Sequence, residues 1–237
     1  MIFAVILAGG NGARMGLTDV PKQFLAINNK PILITTVEKF VINPKFEKVI
    51  VLSPANWIEH TSDLIKKYIL DTERVVVLQG GDSRNETIMN SIDYIESNYG
   101  LNDDTVILTH DSVRPFVTHR IIEDNLAAMM TSDACDTVIP ATDTIVKSMD
   151  NDLIDDIPDR RFMFQGQTPQ TFKAKILRNL YNTLSSEMKS ILTDAAKIFV
   201  INGYKVKLVQ GETYNIKITY PYDLRIAKSL LEDNKND

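Results

Sequence analysis

The run Ile2-Phe3-Ala4-Val5-Ile6-Leu7-Ala8-Gly9-Gly10-Asn11-Gly12-Ala13-Arg14-Met15-Gly16 sets an apolar, β-branched segment directly against a glycine loop. Such a segment reads as a buried strand. Gly9, Gly10 and Gly12 lack a Cβ, so backbone N–H groups there can come close to an anionic ligand. A strand that opens into a phosphate cradle is the start of a nucleotide-binding α/β layer. The spacing is not the dinucleotide pattern G-x-G-x-x-G, and the Gly-Lys-Ser/Thr ending of a P-loop is missing.

Outward from this point the pattern repeats. Further strands are expected at Lys48–Leu52, Arg74–Gln79, Thr105–Thr109, Thr137–Ile139 and Lys205–Gln210. Helical spacing of apolar residues marks Ile32–Val41, Trp57–Tyr68, Asn85–Ser97, His119–Met130, Lys173–Leu184 and Thr193–Asn202, with a last helix opened by Pro221. Alternation of this kind implies βαβ units, a mostly parallel sheet and helices on both faces. Thr142–Gln170 breaks the rhythm and is expected to leave the main body as an extended arm. One domain over residues 1–237 is the expected organisation.

Composition narrows the function. A net charge of −5 and a pI near 5.3 argue against a nucleic-acid surface, which needs clustered cations. Small nucleotides remain allowed. The lone Cys135 cannot form an internal disulfide, and no Cys/His spacing suits structural zinc. The apolar run after Met1 is too short to span a bilayer and lacks signal-peptide flanks. A cytoplasmic protein without membrane contact is expected.

The chemistry gathers at the carboxyl ends of the expected strands. Arg14 and Lys22, the latter in Pro21-Lys22-Gln23-Phe24-Leu25, bring two cations close to the first glycine loop. Gly80-Gly81-Asp82-Ser83-Arg84 forms a second glycine turn between strand and helix, where a helix N-terminus favours anions. Asp111, in Thr109-His110-Asp111-Ser112-Val113-Arg114-Pro115-Phe116, should emerge at the same edge. A carboxylate facing a triphosphate makes sense when Mg2+ lies between them, so Asp111 is the expected metal residue. Arg114 could hold a second substrate's phosphate. His110 reads as a packed strand-end residue. Lys217 is the one lysine in Tyr214-Asn215-Ile216-Lys217-Ile218-Thr219.

The first loop with its cations resembles the signature of sugar-nucleotide and polyol-phosphate nucleotidyltransferases, L-A-G-G-x-G-x-R-M followed by P-K. From Ile2 to about Ala227 the chain is similar to the 2-C-methyl-D-erythritol 4-phosphate and ribitol-5-phosphate cytidylyltransferases. Asp111-Ser112-Val113-Arg114-Pro115-Phe116 and Gln165-Gly166-Gln167-Thr168-Pro169-Gln170 resemble the second group more, which makes CDP-ribitol for wall teichoic acid. The resemblance implies a Rossmann-like fold and CMP transfer from CTP, with Mg2+, to a polyol phosphate. It also implies a homodimer joined through the 142–170 arm.

By that resemblance Arg14, Lys22 and Lys217 are the catalytic cations. Leu7, Ala8, Gly9, Gly10, Gly12, Gly80, Gly81, Asp82 and Arg84 bind the nucleotide. Arg114, Thr144, Arg160, Thr168 and Thr193 bind the acceptor, with Thr144 and Arg160 reaching the partner's site. Arg161, next to Arg160, leaves open which guanidinium does so. A phosphate monoester is already largely dianionic at neutral pH, so no strong general base is required, and none of the usual nucleophile–histidine patterns occurs. Two rivals fit less well. A dehydrogenase would want an acidic residue after the second strand, where Ser53-Pro54-Ala55-Asn56-Trp57 supplies none. A non-catalytic nucleotide sensor would be expected to lose some of Arg14, Lys22, Asp111 and Lys217.

Overall fold

The computed structural model describes residues 1–10 and 20–233, with side chains as far as 231. Its centre is strand β1 (Ile2–Leu7), with every residue from Phe3 to Ile6 fully buried. A short hairpin, β2 (Ala26–Ile27) and β3 (Lys30–Pro31), leads into helix α1 (Ile32–Val41). Strand β4 (Lys48–Ser53), helix α2 (Ile58–Tyr68), strand β5 (Val75–Gln79) and helix α3 (Arg84–Tyr99) follow. Strand β6 (Val106–Asp111), helix α4 (His119–Ala128) and strand β7 (Ala134–Pro140) complete the alternating part.

Among the described residues one seven-stranded sheet runs in the order β5-β4-β1-β6-β8-β7-β9, where β8 is Phe164–Lys173 and β9 is Lys207–Gln210. β1, β4, β5 and β6 are mutually parallel, and β9 is parallel to β7. Only β8 opposes its neighbours, pairing antiparallel with β6 and β7. Successive strand residues point to opposite faces. Phe3, Val5, Ile50 and Leu52 pack with Ile88 and Ile92 of α3, Leu177 of α5 (Ala174–Thr183) and Phe199 of α7 (Ala195–Ile201). Ala4, Ile6, Val49 and Val51 pack on the other face with Leu33 and Val37 of α1, Ile65 of α2 and Ile122 of α4.

The sequence expectation departs from the structure at β8. The irregular stretch foreseen for Thr142–Gln170 ends at Met163, and the next ten residues form a strand inside the sheet. Gly166 and Pro169 weaken any strand signal, because proline cannot donate to a ladder. Here the β7–β8 register shifts between Asp136 and Val138, which leaves Gln167–Pro169 outside the ladder pairs. The missing N–H of Pro169 therefore falls in a bulge. Thr137 Oγ1 donates to the Pro169 carbonyl at 2.6 Å and ties the bulge down. A short helix, α6 (Ser186–Ile191), was also hidden in the sequence pattern.

The chain closes with α8 (Pro221–Asp233). Ala227 and Leu224 of that helix pack with Ile27, Ile32, Val113 and Ile218. The C-terminal segment is thereby pinned beside the carboxyl end of β6.

Candidate active site

β1 is flanked by β4 on one side and β6 on the other, so the chain reverses direction across the sheet at its carboxyl edge. Such a switch point opens a crevice where α/β proteins bind ligands. Backbone bonds prolong the strand ends into it: Ala8 N donates to Leu52 O, Gly80 N to Ser53 O, and Ser112 N to Leu7 O. A cleft of about 400 Å3 results, lined by both glycine turns together with Lys22, Arg84, Asp111 and Lys217.

The first glycine turn is fastened from below. Gln23, almost wholly buried, donates from Nε2 to the carbonyls of Ala8 at 2.6 Å and Gly10 at 3.1 Å. With those carbonyls held by the amide, Leu7, Ala8, Gly9 and Gly10 line the cleft in a fixed arrangement. The second turn is held by Thr87, whose hydroxyl accepts from Gly81 N at 3.0 Å and donates to Ser83 O at 2.8 Å. Ser83 also caps α3 in a reciprocal capping box with Glu86. The two turns touch: a Cβ on Gly80 would stand 3.5 Å from Gly9 Cα, and one on Gly81 only 2.5 Å from Glu86 Cβ. Glycine is required at position 81 by this close approach.

Asp111 is the hub of the site. Arg84 Nη1 reaches its Oδ1 at 2.8 Å, while Lys217 Nζ and Arg114 Nε reach Oδ2 at 2.9 and 3.5 Å. Burial by itself would raise the carboxyl pKa. The charges of Arg84, Lys217 and Arg114 override it and hold Asp111 well below the usual carboxylate range. One carboxylate thus faces three cations, with Lys22 on the same cleft, and the floor keeps a surplus of positive charge for an anionic ligand.

A second layer sets these groups in place. Arg114 Nη1 donates to Asn215 O at 2.8 Å, and Asn215 Nδ2 donates to Thr168 O at 2.9 Å. His110, fully buried, bonds through Nε2 to Arg114 O at 3.0 Å. A carbonyl can only accept, so that nitrogen carries the proton and Nδ1 accepts from the Thr168 hydroxyl at 2.9 Å. Burial pushes the His110 pKa down to about 4, so the ring is neutral at ordinary pH. Gln170 joins Arg84, to which it offers Oε1 at 3.1 Å, with Asp194, to which it donates at 2.9 Å.

The structure places the expected residues unevenly. Leu7, Ala8, Gly9, Gly10, Gly81, Asp82, Arg84, Lys22, Asp111 and Lys217 line one cleft. Gly80 sits directly behind it against Gly9, and Arg114 joins through Asp111. Gly12 and Arg14 lie outside the described residues. Thr168, expected to bind substrate, is buried, and its hydroxyl serves His110 and the Asp111 amide instead. Thr193 is exposed just before Asp194, the N-cap of α7. Thr144 and Arg160 stand away from this cleft on the exposed segment between β7 and β8. Arg161 is held by both oxygens of Asp159, whereas the Arg160 guanidinium, among the described residues, bonds from Nη1 to Thr142 O. Asp111, expected to meet a metal, is engaged by cations, and among the described residues no group of three His, Cys, Asp or Glu side chains could cage an ion. Gln23, Thr87 and Gln170 were not foreseen as members of the site, although Gln23 and Gln170 both stand inside motifs quoted above.

A switch-point crevice with two glycine turns and a cationic floor defines a nucleotidyltransferase-type α/β protein. Residues 2–233 match the family model for IspD, 2-C-methyl-D-erythritol 4-phosphate cytidylyltransferase, and the chain belongs to that family of cytidylyltransferases. A ribitol-5-phosphate cytidylyltransferase of Lactiplantibacillus plantarum is 56% identical over 232 residues, covering 98% of this chain and 99% of the relative. The crystal structure of 4-diphosphocytidyl-2C-methyl-D-erythritol synthase from Anaerococcus prevotii superposes with a TM-score of 0.80 at 25% identity, covering 98% of this chain and 96% of that one. A Francisella tularensis 2-C-methyl-D-erythritol 4-phosphate cytidylyltransferase gives 0.79 at 27% identity, with 96% and 98% covered. No described helix is long and apolar enough to cross a membrane.

Proposed function

We propose that this chain transfers CMP from CTP to D-ribitol 5-phosphate, giving CDP-ribitol and pyrophosphate for teichoic acid synthesis. The observation that carries the chemistry is the ring of Arg84, Arg114 and Lys217 around Asp111 at the glycine-turn cleft. The choice of acceptor is supported by the 56% identity to the ribitol-5-phosphate enzyme.

The difficulty of the reaction is electrostatic, since a phosphate dianion must approach a highly anionic triphosphate. An oxygen of the acceptor phosphate attacks the α-phosphorus of CTP, the α–β phosphoanhydride bond breaks, and pyrophosphate leaves. Catalysis then rests on in-line positioning and preorganised positive charge. Lys22 and Arg14 act on the triphosphate and leaving group, and Lys217 on the α-phosphate or the attacking phosphate. Arg114 and Thr193 hold the acceptor. The turns at Ala8–Gly10 and Gly80–Asp82 offer amides to a cytosine edge.

Asp111 would meet Mg2+ as a single carboxylate beside phosphates, which is how this ion is usually held, mainly by substrate oxygens and water, and would share with it oxygens that Arg84, Lys217 and Arg114 engage. When bound it would neutralise phosphate charge. A homodimer is part of the same reading. Val146, Met149, Leu153, Ile154, Ile157 and Phe162 are large apolar side chains, each more than half exposed, on the segment that carries Thr144 and Arg160. An apolar arm of this kind favours a second copy, and Arg160, less engaged than Arg161, is the guanidinium assigned to the partner's site.

The test is pyrophosphate release by the purified protein with CTP, Mg2+ and each polyol phosphate in turn, with the product identified by mass. Release with ribitol 5-phosphate is expected. Release only with methylerythritol 4-phosphate moves the acceptor to the family's namesake, and no release with either overturns the transferase reading.

A further inference from the structure

Asp136 is a carboxylate that the fold supports at a cost and that the mechanism above does not use. It lies on β7 opposite Gln170 of β8, at the point where the ladder shifts register. Bulges re-aim side chains and gather next to active sites. Ala134, two residues earlier and on the same face, packs in the core cluster that includes α7. Asp136 therefore points to the α7 side, where Asp194 begins that helix. Gln170 and the Thr137 amide lie against the carboxyl, yet its Oδ1 is shielded from solvent and has no hydrogen-bond partner among the described residues. Burial and the neighbouring Asp194 charge push its pKa up to about 7. A shielded oxygen without a donor destabilises a fold, so Asp136 is held here against the stability of the chain.

The surroundings describe the ligand that would suit it. Gly166, exposed on β8, would put a Cβ 3.9 Å from Asp136 Oδ2, so glycine keeps the space over the carboxyl open. The groups facing Asp136 are Asp194 from α7, Gln170 from β8 and Arg84 from α3, and its charge is also felt by Arg114. Arg84 is at once a wall of the nucleotide cleft and the partner of Asp111. Arg84 thus links the cationic cleft, which suits phosphate, to two carboxylates that repel it. Carboxylates accept from neutral hydroxyls instead.

We propose that Asp136 is a specificity-determining residue on the acceptor side, its carboxyl receiving a hydroxyl of the polyol chain beside Gly166 of β8 and the start of α7. The proposal rests on the polyol-phosphate acceptor assigned above. Arg114 takes the charged end of the acceptor, and Asp136 reads the hydroxyls beyond it.

Steady-state kinetics of Asp136→Ala and Asp136→Asn test it, with melting temperature and CTP affinity as controls for folding. Asp136→Ala should raise KM for ribitol 5-phosphate about ten- to hundred-fold, the usual effect of losing a hydrogen bond to a charged group, and leave KM for CTP unchanged. Asp136→Asn, which keeps an acceptor oxygen, should show a smaller rise. The preference for ribitol 5-phosphate over the shorter glycerol 3-phosphate should fall in Asp136→Ala. An unchanged acceptor KM, or equal rises for both substrates, overturns the proposal. Wild-type enzyme that works only on methylerythritol 4-phosphate would overturn the ribitol reading separately, and the same comparison with that polyol would still decide the role of Asp136.

Discussion

Lys22 and Lys217 approach the cleft from opposite ends of the sequence, and both act by charge. Lys22→Ala and Lys217→Ala should each lower kcat by about 10²–10³ while the protein stays folded, as removal of a charge-stabilising donor does in other enzymes. Turnover near wild type in either variant would remove that lysine from the mechanism. His110 makes a different prediction. Its folded pKa of about 4 lies below the ordinary 6.5, so the unfolded chain takes up the proton first as pH falls. Stability is then complete above pH 6.5 and declines towards pH 4, by about 3 kcal/mol in all from this residue. Chemical denaturation at several pH values should show that decline in the wild type and a flatter profile in His110→Gln. Asp111 works in the same sense at lower pH, contributing stability above the ordinary carboxylate pKa that is lost in stronger acid.

At this scale the sequence was legible where residue type and chemistry coincide. A lysine after a glycine loop and an aspartate at a strand end announce themselves. Gln23, Gln170 and Asn215 do not, because their roles depend on which carbonyls and guanidinium groups the fold brings to them from distant parts of the chain. Thr168 misled for the same reason: its hydroxyl faces His110, a contact that spans most of the sheet's construction.

The glycine turn before α3 concentrates two demands on one element. Gly81→Ala would drive a Cβ to within 2.5 Å of Glu86 Cβ, so the first turn of α3 must move and the capping box with it. Loss of an N-cap costs about 1 kcal/mol, which lowers the melting temperature by roughly 2–4 °C in a chain of this size. KM for CTP should rise in the same variant, because Asp82, Ser83 and Arg84 line the cleft. A thermal shift without any change in KM would separate that turn from nucleotide binding. Most elements could be read from periodicity: β1 and α1 have the expected bounds, and the other parallel strands and long helices differ at their ends. β8 could not be read. Apart from Phe172 its buried side chains are mostly polar, its bulge holds a proline, and it runs against its neighbours, so neither hydrophobic period nor βαβ rhythm marks it.

For the molecule as a whole, the segment between β7 and β8 presents exposed apolar side chains that no described residue covers. Ile157→Asp combined with Phe162→Asp should shift the protein from dimer to monomer in sedimentation velocity and lower turnover, if Arg160 completes the site of a second copy. A monomeric wild type of full activity would end that reading. The sequence marked this segment through its broken rhythm, but a partner cannot be read from one chain's periodicity.

Lys217 reaches Asp111 from a segment without regular secondary structure, clasped by Asn215 to Arg114 and to β8. Both glycine turns and Asp111 precede it by a long stretch of chain, so the ribosome makes the nucleotide cleft well before its neutralising lysine. A polypeptide halted before Asn215 would carry the cradle while Asp111 lacked one of its three cations and Arg114 its anchoring carbonyl. The cleft therefore acquires its full charge only when Lys217 has been added, long after its glycine turns.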